Sequence, residues 1–289
     1  MFLLKFLASL PLVVLHFLGS IAGGLVWLLS STYRRHLREN ICLAFPNEEE
    51  ARRVAWGAIA ATGCTIFEIP LLWRLSHRAL LSRVRRIEGL DIVERLRRNS
   101  KGLIFLTPHL GAFEVAGHFC ASVAPTTALF RPPRQAWLAP LMWQGRAKDN
   151  LEQAPADISG VRLLLRALKR GNAVFMLPDQ APSAGDGRWL DFFGRPAYTM
   201  TLAARLSETN AAVILLFARR LPWGRGFEII LREPLSPMSG TTEERAQQIN
   251  HEIEALIRQC PEQYLWGYNR YKRPKGAEAP PESTARTEN

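Results

Sequence analysis

The chain reads as an α/β protein: a mixed, largely parallel sheet covered by helices, with one N-terminal membrane helix. Three observations lead there. Short apolar runs of strand length punctuate the middle of the chain, at 103–107, 127–130, 173–177, 212–218 and 227–231. Helix-compatible stretches lie between several of them, notably at 138–150 and 160–170, and such interleaving is the pattern of a sheet sheathed by helices. Ahead of all this, Phe6 to Tyr33 is a run of 28 residues without Asp, Glu, Lys or Arg.

That run exceeds the roughly 20 residues a helix needs to cross a bilayer. A cleaved leader, with Lys5 before the apolar stretch and small residues at 20–24 as the cut, is the competing reading. Arg34, Arg35 and Arg38 directly after the run argue against it, because positive charge resists translocation. The body is therefore expected on the cytoplasmic side. Pro11, His16 and three glycines keep open a segment that dips into one leaflet without crossing. The expected organisation is an anchor at 1–33, a cytoplasm-facing body at 34–274, and a disordered tail at 275–289, where bulky apolar residues run out.

Within the body, 50–81 lacks strand alternation and predicts one or two helices, and Gly89-Leu90-Asp91 predicts a turn before another. Eight arginines between Arg74 and Arg98 read equally as solvated helix faces or as a surface for lipid headgroups. Residues 227–231 follow the preceding run after a Pro-Trp-Gly turn, which predicts an antiparallel hairpin at a sheet edge. Residues 243–258 form an amphipathic helix.

With 47% apolar and 22% charged residues the chain buries a real core, which excludes disorder for most of it. Its 37 Lys and Arg against 26 Asp and Glu leave a net charge of +11, so a polyanionic partner is expected. No zinc finger, helix-turn-helix or RNA-binding signature accompanies that charge, so nucleic acid is not the expected partner. Cys42, Cys64, Cys120 and Cys260 stand far apart without CxxC spacing, so neither a zinc site nor a disulfide scaffold is expected.

The most informative segment follows the first strand: Thr107-Pro108-His109-Leu110-Gly111-Ala112-Phe113-Glu114. Along a regular helix five residues turn about 500°, leaving His109 and Glu114 about 140° apart. Both serve one site only if His109 sits in a loop before the helix, and Pro108 and Gly111 favour that break. His109 then stands at the C-terminal end of a strand, where open α/β sheets bind ligands, with Glu114 in the first helical turn. The arrangement suits a general base steadied by a carboxylate. A helix-capping histidine beside an exposed glutamate is the plain structural alternative. Arg131 follows a strand and precedes two prolines, a position for contacting a phosphate or simply for a surface arginine. Asp179 ends another strand and, with no second carboxylate or His nearby in sequence, suits hydrogen bonding in the pocket better than metal binding. Trp266 and Tyr268 read as packing or lipid-edge aromatics.

Taken in order, His109-x4-Glu114, Phe130-Arg131-Pro132, Leu177-Pro178-Asp179-Gln180, Phe192-Phe193-Gly194 with Pro196, and Pro261 to Trp266 before Arg270 resemble the bacterial lipid A late acyltransferases. The resemblance runs from the N-terminal segment to about Pro274. It implies an inner-membrane enzyme with a fold akin to glycerol-phosphate acyltransferases, which needs no cofactor or metal and moves an acyl chain from acyl carrier protein to a hydroxyl of a lipid A precursor. It further implies catalytic roles for His109 and Glu114 and an Arg146 that lies beside the histidine and steadies the oxyanion; Arg131 and Asp179, read from their positions, complete the candidate site as substrate-binding residues. Two departures, Ala181 to Gly185 after Asp179-Gln180 and Asn269 where many relatives carry His, bear on the acceptor more than on the reaction. The absence of a Gly-x-Ser-x-Gly elbow fits direct transfer without a covalent enzyme intermediate. A lipid esterase or thioesterase, and an acyltransferase for an aminolipid or glycolipid, are the alternatives.

Overall fold

The computed structural model describes residues 2–133 and 135–281. Four helices open it: α1 (Phe2–Leu7), α2 (Leu12–Leu29), α3 (Ser31–Ala44) and the long α4 (Glu48–Arg74). After α5 (His77–Leu81) come β1 (Val84–Glu88), α6 (Leu90–Asn99), β2 (Leu103–Leu106), α7 (Phe113–Val123), β3 (Thr126–Phe130), α8 (Ala139–Arg146), β4 (Leu151–Pro155), α9 (Ile158–Lys169) and β5 (Ala173–Met176). The chain finishes with β6 (Gly187–Phe192), β7 (Arg195–Met200), α10 (Leu202–Ser207), β8 (Ala212–Arg220), β9 (Phe227–Arg232) and α11 (Thr242–Gln259).

Seven strands form one sheet in the order β1-β9-β8-β2-β5-β3-β4. The five from β8 to β4 are parallel, while β9 runs antiparallel to β8 and β1 lies parallel to β9. The sheet is thus mixed and largely parallel, as the spacing of apolar runs predicts. Its central strands are buried on both faces, which is why they read as unbroken apolar runs rather than as alternation. Ile104, Leu106, Val174 and Met176 face one core with α9 and α11, while Leu103, Phe105, Ala173 and Phe175 face another with α7.

The strands that escaped the pattern are the ones without two apolar faces. β1 falls within the arginine-rich stretch and exposes four of its five residues, an edge strand protected from further pairing by charge. The β8–β9 hairpin is therefore present but not at the edge, because β1 covers β9. β4, Leu-Glu-Gln-Ala-Pro, is the other edge. β6 and β7 form a separate hairpin whose two-residue turn, Phe193-Gly194, has φ of 50° and 76°. Positive φ at both turn positions matches the twist of a tight hairpin. Phe193 holds that conformation because its N–H donates to Glu254 and its ring is buried against Trp266.

The apolar N-terminal run is interrupted at Pro11, where a helix loses a backbone donor, and again at Ser30, which caps α3. By length and composition both α2 and α4 are sufficient to cross a membrane. The two pack side by side through glycines: a Cβ on Gly63 would lie 1.8 Å from the Gly19 carbonyl oxygen, and one on Gly23 would lie 2.1 Å from that of Ile59. Small residues at such a seam let two backbones touch. At the other terminus the stretch expected to be disordered stays against the body through 278: Ala277 is buried and the Trp189 indole donates to the Glu278 carbonyl. Residues 282–289 of that expected tail lie outside the described residues.

Candidate active site

Strand register builds the centre of the site. Leu106 on β2 pairs with Met176 on the neighbouring parallel β5, and His109 and Asp179 each lie three residues further on. Both emerge from the same end of the sheet. The His109 backbone N–H donates to Asp179 Oδ2 at 2.9 Å, and Nδ1 meets Asp179 Oδ1 at 2.7 Å. Asp179 is 1% exposed. Burial alone would raise its carboxyl, but the His109 ring, the two hydrogen bonds from His109 and the charge of Arg270 hold it below the usual carboxylate range. A carboxylate on Nδ1 fixes the tautomer with the proton there, which leaves the Nε2 lone pair for a substrate. The Phe113 ring stands edge-on to the imidazole, centroids 5.1 Å apart.

His109 does lie in a loop, with α7 starting at Phe113 and Glu114 in its first turn. The carboxylate that steadies it is nevertheless Asp179 and not Glu114. Being on the helix turns Glu114 towards α4 and α8, where Arg146 grips it through Nε (3.0 Å to each oxygen) and Nη2, and the Trp73 indole donates at 3.3 Å. Arg146 also lies over the Phe130 ring at 5.6 Å. Burial would raise the Glu114 carboxyl, and the Arg146 charge and hydrogen bonds overcome it and lower the pKa. Arg131 is exposed at the end of β3, donating to Ser183 Oγ at 2.9 Å, and so lies at the same end of the sheet as His109.

The model of the bacterial lipid A biosynthesis acyltransferases matches residues 1–273. The chain belongs to that family. It is an enzyme, an acyltransferase of lipid A biosynthesis. It is similar to the lipid A biosynthesis lauroyltransferase of Escherichia coli K12, at 25% identity over 93% of this chain and 89% of the relative. The palmitoleoyltransferase of the same organism is 27% identical over 93% of this chain and 88% of its own length. The myristoyltransferase is 26% identical over 91% and 81%.

The acyltransferase clamps its histidine loop between two segments. The Ala112 N–H donates to the Ala218 carbonyl on β8 at 2.8 Å. On the other side the Gly111 N–H donates to the Gln263 carbonyl and the Leu265 N–H to that of His109, at 3.0 and 3.1 Å. Gly111 has a φ of 59°, and a Cβ there would lie 2.1 Å from the Ala218 oxygen, so only glycine fits. The Pro261 to Trp266 motif therefore supports the loop: Trp266 is core, 1% exposed, and Tyr268 offers its hydroxyl to the Ala181 N–H at 3.0 Å, just beyond Asp179. Arg270 is buried, donating to the Tyr198 carbonyl and Thr199 Oγ1. Composition and spacing did not point to Trp73, whose partner Glu114 lies 41 residues away. Gln263 stands in the Pro261 to Trp266 motif, but its role in holding Gly111 was not legible there, because the two residues meet only across the fold.

Glu114→Gln is expected to lose about 3 kcal/mol of stability, because it leaves Arg146 without its charge partner in a largely buried setting. Urea unfolding of the variant checks this, and an unchanged midpoint would contradict it. A second expectation concerns His118, one turn beyond Glu114 and 1% exposed, with neither ring nitrogen hydrogen-bonded among the described residues. Burial pushes its pKa down to about 4, so the folded imidazole is neutral. Between that value and the unfolded value of about 6.5 the unfolded chain holds the extra proton. Stability therefore falls as pH drops through this window, by up to about 3 kcal/mol. His118→Phe should flatten the slope in denaturation series from pH 7 to 4; an unaltered slope would show that other groups carry it.

Proposed function

We propose that the acyltransferase moves a fatty acyl chain from acyl carrier protein directly to a hydroxyl of a lipid A precursor, at the cytoplasmic face of the inner membrane. The observation that carries this reading is the His109–Asp179 pair, which engages Nδ1 and leaves His109 Nε2 without a hydrogen-bond partner among the described residues, at the ligand-binding end of the sheet. A lipid hydroxyl is a poor nucleophile at neutral pH, whereas a thioester is an activated donor, so a positioned base meets the need. The hydroxyl oxygen attacks the thioester carbonyl carbon while its proton passes to His109 Nε2. Asp179 stabilises the resulting imidazolium. The tetrahedral intermediate then collapses, the C–S bond breaks, and the imidazolium returns its proton to the departing sulfur. Arg146 spends Nε and Nη2 on Glu114, and its Nη1, outside that pair, is the donor proposed for the developing oxyanion. Glu114 is thus a positioning residue for Arg146. Arg131 is the group for an acceptor phosphate, since a guanidinium matches phosphate oxygens two at a time.

The +11 charge supports acyl carrier protein as the donor, since a basic surface steers an acidic carrier protein. Acyl carrier protein is expected to outperform acyl-CoA at matched chain length, with the steeper loss of rate as salt rises. Initial rates with both donors across an ionic-strength series check it. Equal rates with equal salt slopes would remove the carrier protein from the proposal.

A further inference from the structure

We infer that α2 does not cross the bilayer but lies along one leaflet as an in-plane helix, pressed there by the body of the enzyme. The inference rests on the membrane location proposed above and specifies how that location is achieved. The body backs α2 from end to end. At its start the backbone of Gly224, in the β8–β9 connection, lies against Val13, close enough that a Cβ on Gly224 would sit 2.4 Å from the Val13 nitrogen. In its first turns Leu12 and Leu15 are buried in the core that holds Leu72 and Phe227. His16 Nε2 meets Glu68 Oε2 at 2.9 Å, and the same carboxylate takes Arg220 of β8. At its end the Trp27 ring packs against Trp56 of α4, centroids 5.7 Å apart and planes tilted by 45°.

A spanning helix needs about 20 residues surrounded by hydrocarbon. α2 cannot supply that without drawing the hairpin tip, with its exposed Arg225, through the membrane. What it offers instead is one broad apolar stripe. Val14, Phe17, Ile21, Leu25 and Leu28 are exposed at helical spacing on the face opposite the buried Leu15, Gly19 and Gly23, and the exposed Val13, Val26 and Leu29 widen it towards the helix ends.

The occupant that fits the stripe is a lipid leaflet with anionic headgroups. Cations flank the stripe at both ends, Lys5 before it and Arg34, Arg35 and Arg38 after it, and no charge interrupts it. Trp223, 83% exposed at the hairpin tip beside Val13, and Trp56, 61% exposed beside Trp27, place an aromatic at each end, where indoles favour the membrane interface. The seat also adjoins the chemistry. Trp73 donates to Glu114, while the next residue, Arg74, donates to the Ala8 carbonyl between α1 and α2. A lipid hydroxyl thus has only a short way to travel from leaflet to site.

Impermeant-maleimide labelling of the full chain in sealed inner-membrane vesicles of both orientations tests the arrangement. Cys42 is exposed on α3 and reports the side of the body; Cys64, Cys120 and Cys260 are buried. In a Cys42→Ser background, Lys5→Cys and Arg35→Cys flank α2. The in-plane seat predicts that both react from the same face as Cys42, with no site reached from the other face. Reaction of Lys5→Cys from the opposite face overturns the in-plane seat and leaves the membrane location standing. Recovery of the protein in the supernatant, away from the vesicles, overturns the membrane location and the seat with it.

Discussion

His109→Ala lowers kcat/KM by roughly a thousandfold, within the range that a positioned general base contributes. Truncation removes Nε2, the atom that receives the hydroxyl proton, and touches neither the sheet nor α2. His109 is partly exposed, and its backbone is held by Asp179 and Leu265 through main-chain hydrogen bonds that alanine keeps. Purified variant and parent, assayed with acyl thioester and lipid acceptor and compared by thermal unfolding, separate chemistry from fold. Near-normal turnover in a folded variant would reject His109 as the base.

Asp179→Asn is the second large effect, expected to fall by about a thousandfold or more, since the same change in a Ser–His–Asp triad costs about 10⁴. Asparagine preserves shape and still accepts the His109 backbone N–H. It removes the charge that stabilises the imidazolium, and its amide can point an N–H at Nδ1, which holds the tautomer with the proton on Nε2. The loss should appear in kcat with little change in KM, because Asp179 is buried behind the imidazole. A fall in affinity for the acceptor at unchanged kcat would assign Asp179 to substrate binding instead.

The contrast between Asp179 and Glu114 shows what the sequence makes legible and what it does not. His109 and Glu114 are five residues apart, so proximity suggested the pairing. Asp179 is 70 residues away and reaches the imidazole only because β2 and β5 are neighbours in matched register, a fact of sheet order that no local pattern carries. The same holds for Gln263, which supports Gly111 across the fold. The apolar strands β2, β5, β8 and β9 were readable because they are buried on both faces, and β3 because its residues are all at least half-buried. β1, β4 and the β6–β7 hairpin were not, because charge, proline or a single covered face removes the signal. α2 was legible as a long apolar helix from composition alone, but its glycine seam against α4 depends on which helix lies alongside.

A single turnover followed by mass spectrometry, with enzyme in excess over acyl-loaded carrier protein and lipid A precursor present, tests direct transfer most squarely. The account predicts that the precursor gains the mass of one acyl chain at the rate the carrier loses it, that the enzyme's mass stays constant throughout, and that His109→Ala abolishes the transfer. An enzyme that gains the acyl mass before the lipid does, or a stoichiometric release of free fatty acid, would contradict it.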